Sequence, residues 1–395
     1  MNVIAPPALT KSPPIGQKRR PVRRTAKRPQ ITEVALWHVP LTSHVTYRMA
    51  SGKTCATVET VVLRVTTDAG VCGWGEVCPI PHYLPAFARG VASALEELAP
   101  VLIGADPLGA EALMARADAH LQGHVYAKSA LDIALWDITG RAARLPLMTL
   151  LGGQRAATLP LYHSITSIEP DEMAHIARDA QANGITQFQV KLGASGDWTT
   201  DVERLTKVRE AVGPGPLVYG DWNCGATSLE ATRVGRAIAH LDVMLEQPSP
   251  TIADCARVRE ATGLPMKLDE VAHDTASLLE GHARGCMDAV ALKLSKFGGL
   301  SATRRARDLC LHLGTKMCVE DTWGGDIATA ALLHLAASTP SDRLLNTCDL
   351  AGYVGPSLAT DLPRRQNGRI APPEGPGLGI TVDADALGAP HLILE

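Results

Sequence analysis

The 395-residue chain contains no run of 18 or more apolar residues, so no segment reads as a membrane-spanning helix. Its nine cysteines, from Cys55 to Cys348, follow neither a disulfide-framework nor a zinc spacing. They read as small apolar fillers in a reducing cytoplasm. The first thirty residues hold no acid at all. They carry eight lysines and arginines, several prolines and little apolar patterning, which predicts a disordered basic tail over 1–31. No signal-peptide core and no nucleic-acid motif accompanies this tail, so it reads as a solvated extension or an early start codon rather than a nucleic-acid arm. Without those eight charges the formal net charge moves from −3 to −11. The remaining body is acidic.

A 46% hydrophobic and 20% charged composition is enough to build a large core, and at this length two domains are expected. From Glu33 the chain reads as strands Glu33–Val39 and Thr57–Thr66, a turn at Asp68-Ala69-Gly70, and a third strand into Gly73-Trp74-Gly75-Glu76. Helical periodicity follows at about 84–101, 107–121 and 126–141. Strands followed by helices predict an α+β capping domain over 32–155. A catalytic barrel is expected over 156–345, and residues 346–395 are expected to return to the cap.

Within the barrel segment, short apolar strands end in charge. Their ends are Lys191, Asp221 followed by Asn223, Glu246, Asp269 and Lys293. Charged strand ends in series, separated by helical stretches, are the pattern of a parallel barrel that gathers catalytic groups at its C-terminal face. Buried acids there are uncommon unless paired or metal-bound, so the three carboxylates favour ligation. The order describes a metal site flanked by two bases.

Lys191-Leu192-Gly193, Asp221-Trp222-Asn223, Glu246-Gln247-Pro248, Asp269-Glu270 and Lys293-Leu294-Ser295-Lys296-Phe297-Gly298-Gly299 together resemble the enolase superfamily, in its muconate-lactonizing subgroup. The resemblance covers roughly residues 32–395. It implies an α/β fold, a modified (β/α)7β TIM barrel with an N-terminal α+β capping domain. It also implies one divalent metal per subunit, usually Mg2+, held by Asp221, Glu246 and Asp269. The chemistry stands beside it: a hydrogen next to a carboxylate is a very poor acid, and a hard cation gripping that carboxylate absorbs the charge formed on deprotonation. A lysine serves as base if burial and nearby positive charge lower its pKa.

Strand parity turns Gln189 inward with Lys191 and Lys267 inward with Asp269. Many superfamily members have lysine at the Gln189 position, so this chain lacks a charge there. Lys267 either supplies it from another strand or is a structural interior lysine paired with a carboxylate, the second being the simpler reading. Asn223 reads as a donor behind the ligands or a turn residue, and Glu270 as a partner that orients a base or ligand. Lys296, three residues past Lys293, is expected on the opposite face or in a loop, structural or solvated.

Specificity is expected from cap loops at His44–Lys53 and Cys78–Leu84, with Tyr47, Arg48, His82 and Tyr83 as contacts or ordinary surface residues. Glu320-Asp321-Thr322-Trp323-Gly324-Gly325-Asp326, after the seventh barrel strand, places Trp323 between acids, where its face suits a cationic amine. With the lysine motifs, this segment resembles the proline-derivative branch, whose members are cis-3-hydroxy-L-proline dehydratases and hydroxyproline-betaine epimerases. The dehydratase likeness implies loss of water to a pyrroline-2-carboxylate. The cis substrate has its C2 hydrogen and its hydroxyl on opposite ring faces, so lysines on opposite walls, Lys191 and Lys293, suit anti elimination. The same pair suits C2 epimerisation, the alternative. An acid-sugar dehydratase would need a histidine after the seventh strand, and His312 lies inside an apolar stretch. A binding or structural protein built on the basic tail is the alternative of another class, against which the intact ligand set argues. The partners expected are a small proline derivative and, in a homo-oligomer, further copies of the chain, with no nucleic acid and no membrane.

Overall fold

The computed structural model describes residues 28–395. All but the last four residues of the expected basic tail lie outside that range. Ile31, the last of those four, already opens β1 (Ile31–Arg48), which pairs antiparallel with β2 (Thr54–Thr67), itself paired with β3 (Cys72–Val77). β2 is rich in β-branched residues, which suit a pleated surface packed on one side. The hairpin runs further than its sequence suggests. His44–Arg48 belong to β1 after a register break between Thr42 and Tyr47, and only a short turn around Ala50–Gly52 stands where a ten-residue loop was expected.

Helices α1 (Ala88–Leu102), α2 (Ala110–His120) and α3 (Val125–Ala143) follow. α3 is buried along most of its length, acids included, because each acid is satisfied. Asp132 accepts from the Ser301 amide at 2.8 Å and hydroxyl at 2.6 Å, and Asp137 accepts from the amides of Trp74 and Leu378 and from Arg141. The Ser301 bonds tie the first domain to the second, and the Leu378 bond ties it to the C-terminal segment, at points where an unpaired carboxylate would cost several kcal/mol, about 1–3 per lost bond.

The second domain is an eight-stranded parallel sheet, His163–Ile165, Gln187–Lys191, Leu217–Asp221, Met244–Glu246, Met266–Leu268, Ala289–Lys293, Lys316–Glu320 and Leu344–Thr347, each paired with the next in chain order. A parallel bridge between Leu161 and Thr347 joins the two edges. A helix fills each of the seven connections, giving the (β/α)7β order. The strands are nearly continuous buried runs, as in Ala289-Val290-Ala291-Leu292-Lys293, because both faces are covered. Side-chain caps start several of the helices, among them Thr227 with Glu230 and Asp274 with Ser277. After the barrel, Val354–Gly355 and Leu392–Leu394 both pair antiparallel with β1. No helix among the described residues is long and apolar enough to cross a membrane.

Candidate active site

The register of the sheet sets the polar end of the barrel in one row. Lys191 faces Asp221, Asp221 faces Glu246, and Glu246 faces Lys267 across successive strands, while Lys293 faces Glu320 further round. Opposite charges on neighbouring strands pair at once. Lys191 Nζ lies 2.5 Å from Asp221 Oδ2, Lys293 Nζ lies 2.5 Å from Asp269 Oδ2, and Lys267 Nζ lies 2.9 Å from Glu246 Oε1 and 3.5 Å from Glu320. The Lys267 contact to Glu246 is an ion pair outside hydrogen-bond geometry, so Glu246 Oε1 keeps no hydrogen bond.

This pairing sets how the protein's own charges act on the strand-end lysines. Burial works against the charge on both, but Asp221 and Glu246 at Lys191, and Asp269 and Glu320 at Lys293, outweigh it. With protein charges alone acting, both ammoniums are held above the ordinary lysine value, and the expected lowering belongs to the added positive charge of a metal.

Lys296 corrects an expectation. The chain turns into a short helix, Leu294–Phe297, immediately after Lys293, so three residues onward brings the side chain back to the same end of the barrel. Its ammonium donates to Asp269 Oδ1 at 2.9 Å and also to the Asp269 carbonyl, and it is 7% exposed. It is neither solvated nor on the opposite face.

Each of the three expected ligand carboxylates therefore closes on a lysine. No group of three or more His, Cys, Asp or Glu among the described residues converges in metal-holding geometry. The donor set nevertheless suits a hard divalent cation. It is all oxygen, fully buried, and holds two buried acceptors without a hydrogen bond, Glu246 Oε1 and Glu270 Oε2. Among the described residues at this end, the six carboxylates Asp221, Glu246, Asp269, Glu270, Glu320 and Asp321 face four lysines, an excess of two negative charges when all are ionised. Burial, with repulsion from Asp221 and Glu320 working against the pull of Lys267, pushes Glu246 up to about 8, and burial pushes Asp321 up to about 6.

Above this layer lies a small cavity, with about 70 Å³ open to the centre of a water molecule. Barrel residues Lys191, Lys293, Gln189, Glu320, Asp321 and Trp323 line it, and the cap adds Tyr47, Met49, Cys55, Ile80 and Tyr83. Gln189 is locked, accepting from Ser164 Oγ at 2.8 Å and donating to Glu246 Oε2 at 2.9 Å. Asp321 accepts from the Ser295 amide at 3.0 Å, from the Ser295 hydroxyl, and from the Thr322 amide. Tyr47 donates to the Ser164 carbonyl at 3.2 Å and presents its ring edge-on to Trp323, with centroids 5.2 Å apart.

Tyr83 reaches deeper than a surface contact. Its hydroxyl bonds Glu270 Oε1, and Asn223 Nδ2 stands 3.1 Å from the same hydroxyl, 3.0 Å from Asp221 and 3.0 Å from Glu270. Asn223 Oδ1 in turn accepts from Lys191 at 3.2 Å. Lys267, fully buried, sits beneath the cavity with its ammonium 4.8 Å from the Tyr219 ring centroid. Arg48 and His82 are exposed and outside the cavity. Sequence reasoning missed Glu320, Tyr162, which bonds it, and Tyr353. The strand-end position of Glu320, in register with Lys293, was the available signal. His312 lies in the helix before the seventh strand, contrary to expectation, and the histidine that follows that strand is His334, buried between the Met148 amide and the Leu378 carbonyl, away from the site.

Residues 31–152 match the mandelate racemase / muconate lactonizing enzyme N-terminal domain, and residues 172–386 match the family described as enolase C-terminal domain-like. The chain is 43% identical over 345 residues to the cis-3-hydroxy-L-proline dehydratase of Roseibium aggregatum, covering 87% of this chain and 94% of that protein. It is 36% identical to a solved mandelate racemase/muconate lactonizing enzyme from Roseovarius nubinhibens ISM, with a TM-score of 0.88 over 92% of this chain and 98% of that one. A second solved structure from that organism, a member of the enolase superfamily complexed with magnesium, is 34% identical with a TM-score of 0.87 over 92% and 99% of the two chains. With both domain matches falling on the cap and the charged barrel just described, the chain belongs to the enolase superfamily of enzymes, in its mandelate racemase/muconate lactonizing branch.

Proposed function

We propose that the protein is a metal-dependent dehydratase that converts cis-3-hydroxy-L-proline to a pyrroline-2-carboxylate with loss of water. The observation that carries this reading is that Lys191 and Lys293, from the second and sixth barrel strands, line one cavity with buried carboxylates between them. The 43% identity to a dehydratase of that substrate supports it.

Asp221, Glu246 and Asp269 would hold one divalent cation, magnesium, which draws off the charge that builds on the substrate carboxylate. One lysine, as the neutral amine, takes the C2 hydrogen as a proton. The C2–H pair becomes the C2–C3 double bond, the C3–O bond breaks, and the other lysine, as an ammonium, protonates the leaving hydroxyl to water. Asn223, bonded to both Lys191 and Asp221, holds the first lysine in place. Trp323 and Tyr47 form the wall that meets the ring ammonium, and Asp321 adds a negative charge beside it. All nine cysteines carry free thiols, which supports a place in the reducing cytoplasm.

The test is turnover of cis-3-hydroxy-L-proline with Mg2+, followed together with C2 hydrogen exchange in deuterated solvent. Lys191→Ala and Lys293→Ala should each stop dehydration, and the variant that keeps the base should still exchange the C2 hydrogen. Dehydration at the wild-type rate by both variants would remove the two-lysine mechanism. Inversion of proline betaines without elimination would instead identify an epimerase.

A further inference from the structure

Glu76, on β3 of the cap, is fully buried, and the mechanism above does not use it. Among the described residues no Lys, Arg or His pairs with it. It is satisfied by neutral donors alone: the Gly325 amide at 2.6 Å, the Ala328 amide at 2.9 Å and the Thr60 hydroxyl at 2.8 Å. The two amides donate to it, while the Thr60 hydroxyl lies between it and the Val77 carbonyl at 3.2 Å. Two of the donors open the helix Asp326–Ala337, whose first amides have no partner within the helix and whose N-terminal end favours negative charge. A cap residue thus closes the end of a barrel helix.

The segment held this way is the one that carries Trp323. The indole N–H is buried without a hydrogen-bond partner, so nothing polar on the side chain fixes the ring. Its place depends on the edge of Tyr47 and on the backbone that bears it. Gly325, two residues on, is pressed against the carboxylate, and a Cβ built there would stand 3.2 Å from Glu76 Oε1. At Gly324 a Cβ would stand 2.6 Å from the Ala328 Cβ. Gly325 is therefore the room that the Glu76 contact needs, and Gly324 lets the chain turn closely over Ala328.

We propose that Glu76 is a positioning residue that fixes the backbone after Trp323 and so sets the indole face toward a cationic ring, making selectivity at the barrel depend on a cap carboxylate that does not line the cavity. The inference rests on the reading of Trp323 as the surface that meets the ring ammonium.

Two measurements on the full-length protein test it. Without ligand, acrylamide quenching of the emission component lost in Trp323→Phe should rise in both Glu76→Gln and Gly325→Ala. Gly325→Ala sets a Cβ against Glu76 Oε1 and keeps the test alive if Glu76→Gln does not fold. Unchanged quenching in the folded variants overturns the proposal. With Mg2+, calorimetry then compares L-proline with tetrahydrofuran-2-carboxylate, whose ring oxygen replaces the amine. Glu76→Gln should weaken L-proline by up to about tenfold, spare the neutral ring, and add nothing in a Trp323→Ala background. Equal losses for both ligands, or additive losses in the double variant, overturn it. A wild-type protein that binds neither ring refutes the proline-derivative reading, and quenching alone then decides the role of Glu76.

Discussion

Tyr83 and Glu270 come from different domains and share one hydrogen bond, the cap phenol donating to the barrel carboxylate. Asn223 Nδ2 has two hydrogens and three acceptors in reach, so the phenol settles how they are divided between Asp221 and Glu270. Tyr83→Phe should lower kcat by roughly tenfold or more, the rate equivalent of one hydrogen bond to a carboxylate, with little change in fold. Steady-state kinetics and circular dichroism check this. Wild-type kcat and KM in the variant would reduce the phenol to packing.

Activity should require a divalent cation, and Mg2+ should raise the unfolding midpoint, with about 2.7 kcal/mol gained at a hundred times Kd. Asp221→Asn, Glu246→Gln and Asp269→Asn should all lose turnover. Their stabilities should differ, because Asp269 is paired with both Lys293 and Lys296, whereas Asp221 holds Lys191. Asp269→Asn should therefore unfold at the lower urea concentration, with a cost of roughly 3 kcal/mol for stranding buried ammoniums. Full activity after exhaustive chelation would refute the metal requirement.

Trp323→Ala should weaken transition-state binding of a proline derivative by roughly tenfold, and Trp323→Phe should recover part of the loss. A ring lacking the amine should be affected far less. If both ligands lose equally, the indole is only part of the cavity wall.

His334 should make the fold acid-sensitive. Its Nδ1 accepts from the Met148 amide, so Nε2 carries the hydrogen and donates to the Leu378 carbonyl, and burial lowers its pKa to about 4. The folded value lies below the unfolded value of about 6.5, so the unfolded chain takes up a proton first as pH falls. Stability is complete above the unfolded value and declines through the window from about 6.5 to about 4, by at most about 1.4 kcal/mol per pH unit. Urea unfolding at pH 7 and pH 5 should show a smaller acid loss in His334→Gln than in the wild type. Equal losses would assign the acid sensitivity elsewhere.

The barrel and the charged row were legible because parallel strands buried on both faces read as apolar runs, and a charge at the end of such a run stands out. The same rule of alternation misplaced Lys296. It was counted as if the strand continued, while the chain had already entered a helix at Leu294. The extension of β1 through Tyr47 was hidden for a related reason: a register break after Thr42 interrupts the alternation that marks a strand. The pairing of each lysine was beyond any pattern in the sequence, since it follows from which carboxylate each ammonium meets across the sheet. Arg48 and His82 share loop segments with Tyr47 and Tyr83, and only the backbone decides which of them turns inward.

The tip of the cap hairpin meets the barrel at a notch. Ala50 sits against Gly193 and Gly225, where added Cβ atoms would stand 3.0 and 2.2 Å from its own, and the Ser51 amide donates to the Gly193 carbonyl beside it. One methyl fills the slot, and a second has nowhere to go. The hairpin therefore behaves as a jig located by a single pin. Residues on either side of the pin, Tyr47 and Met49 before it and Cys55 after it, can be exchanged to reshape the cavity without moving the cap, whereas enlarging residue 50, 193 or 225 lifts the whole tool off the work.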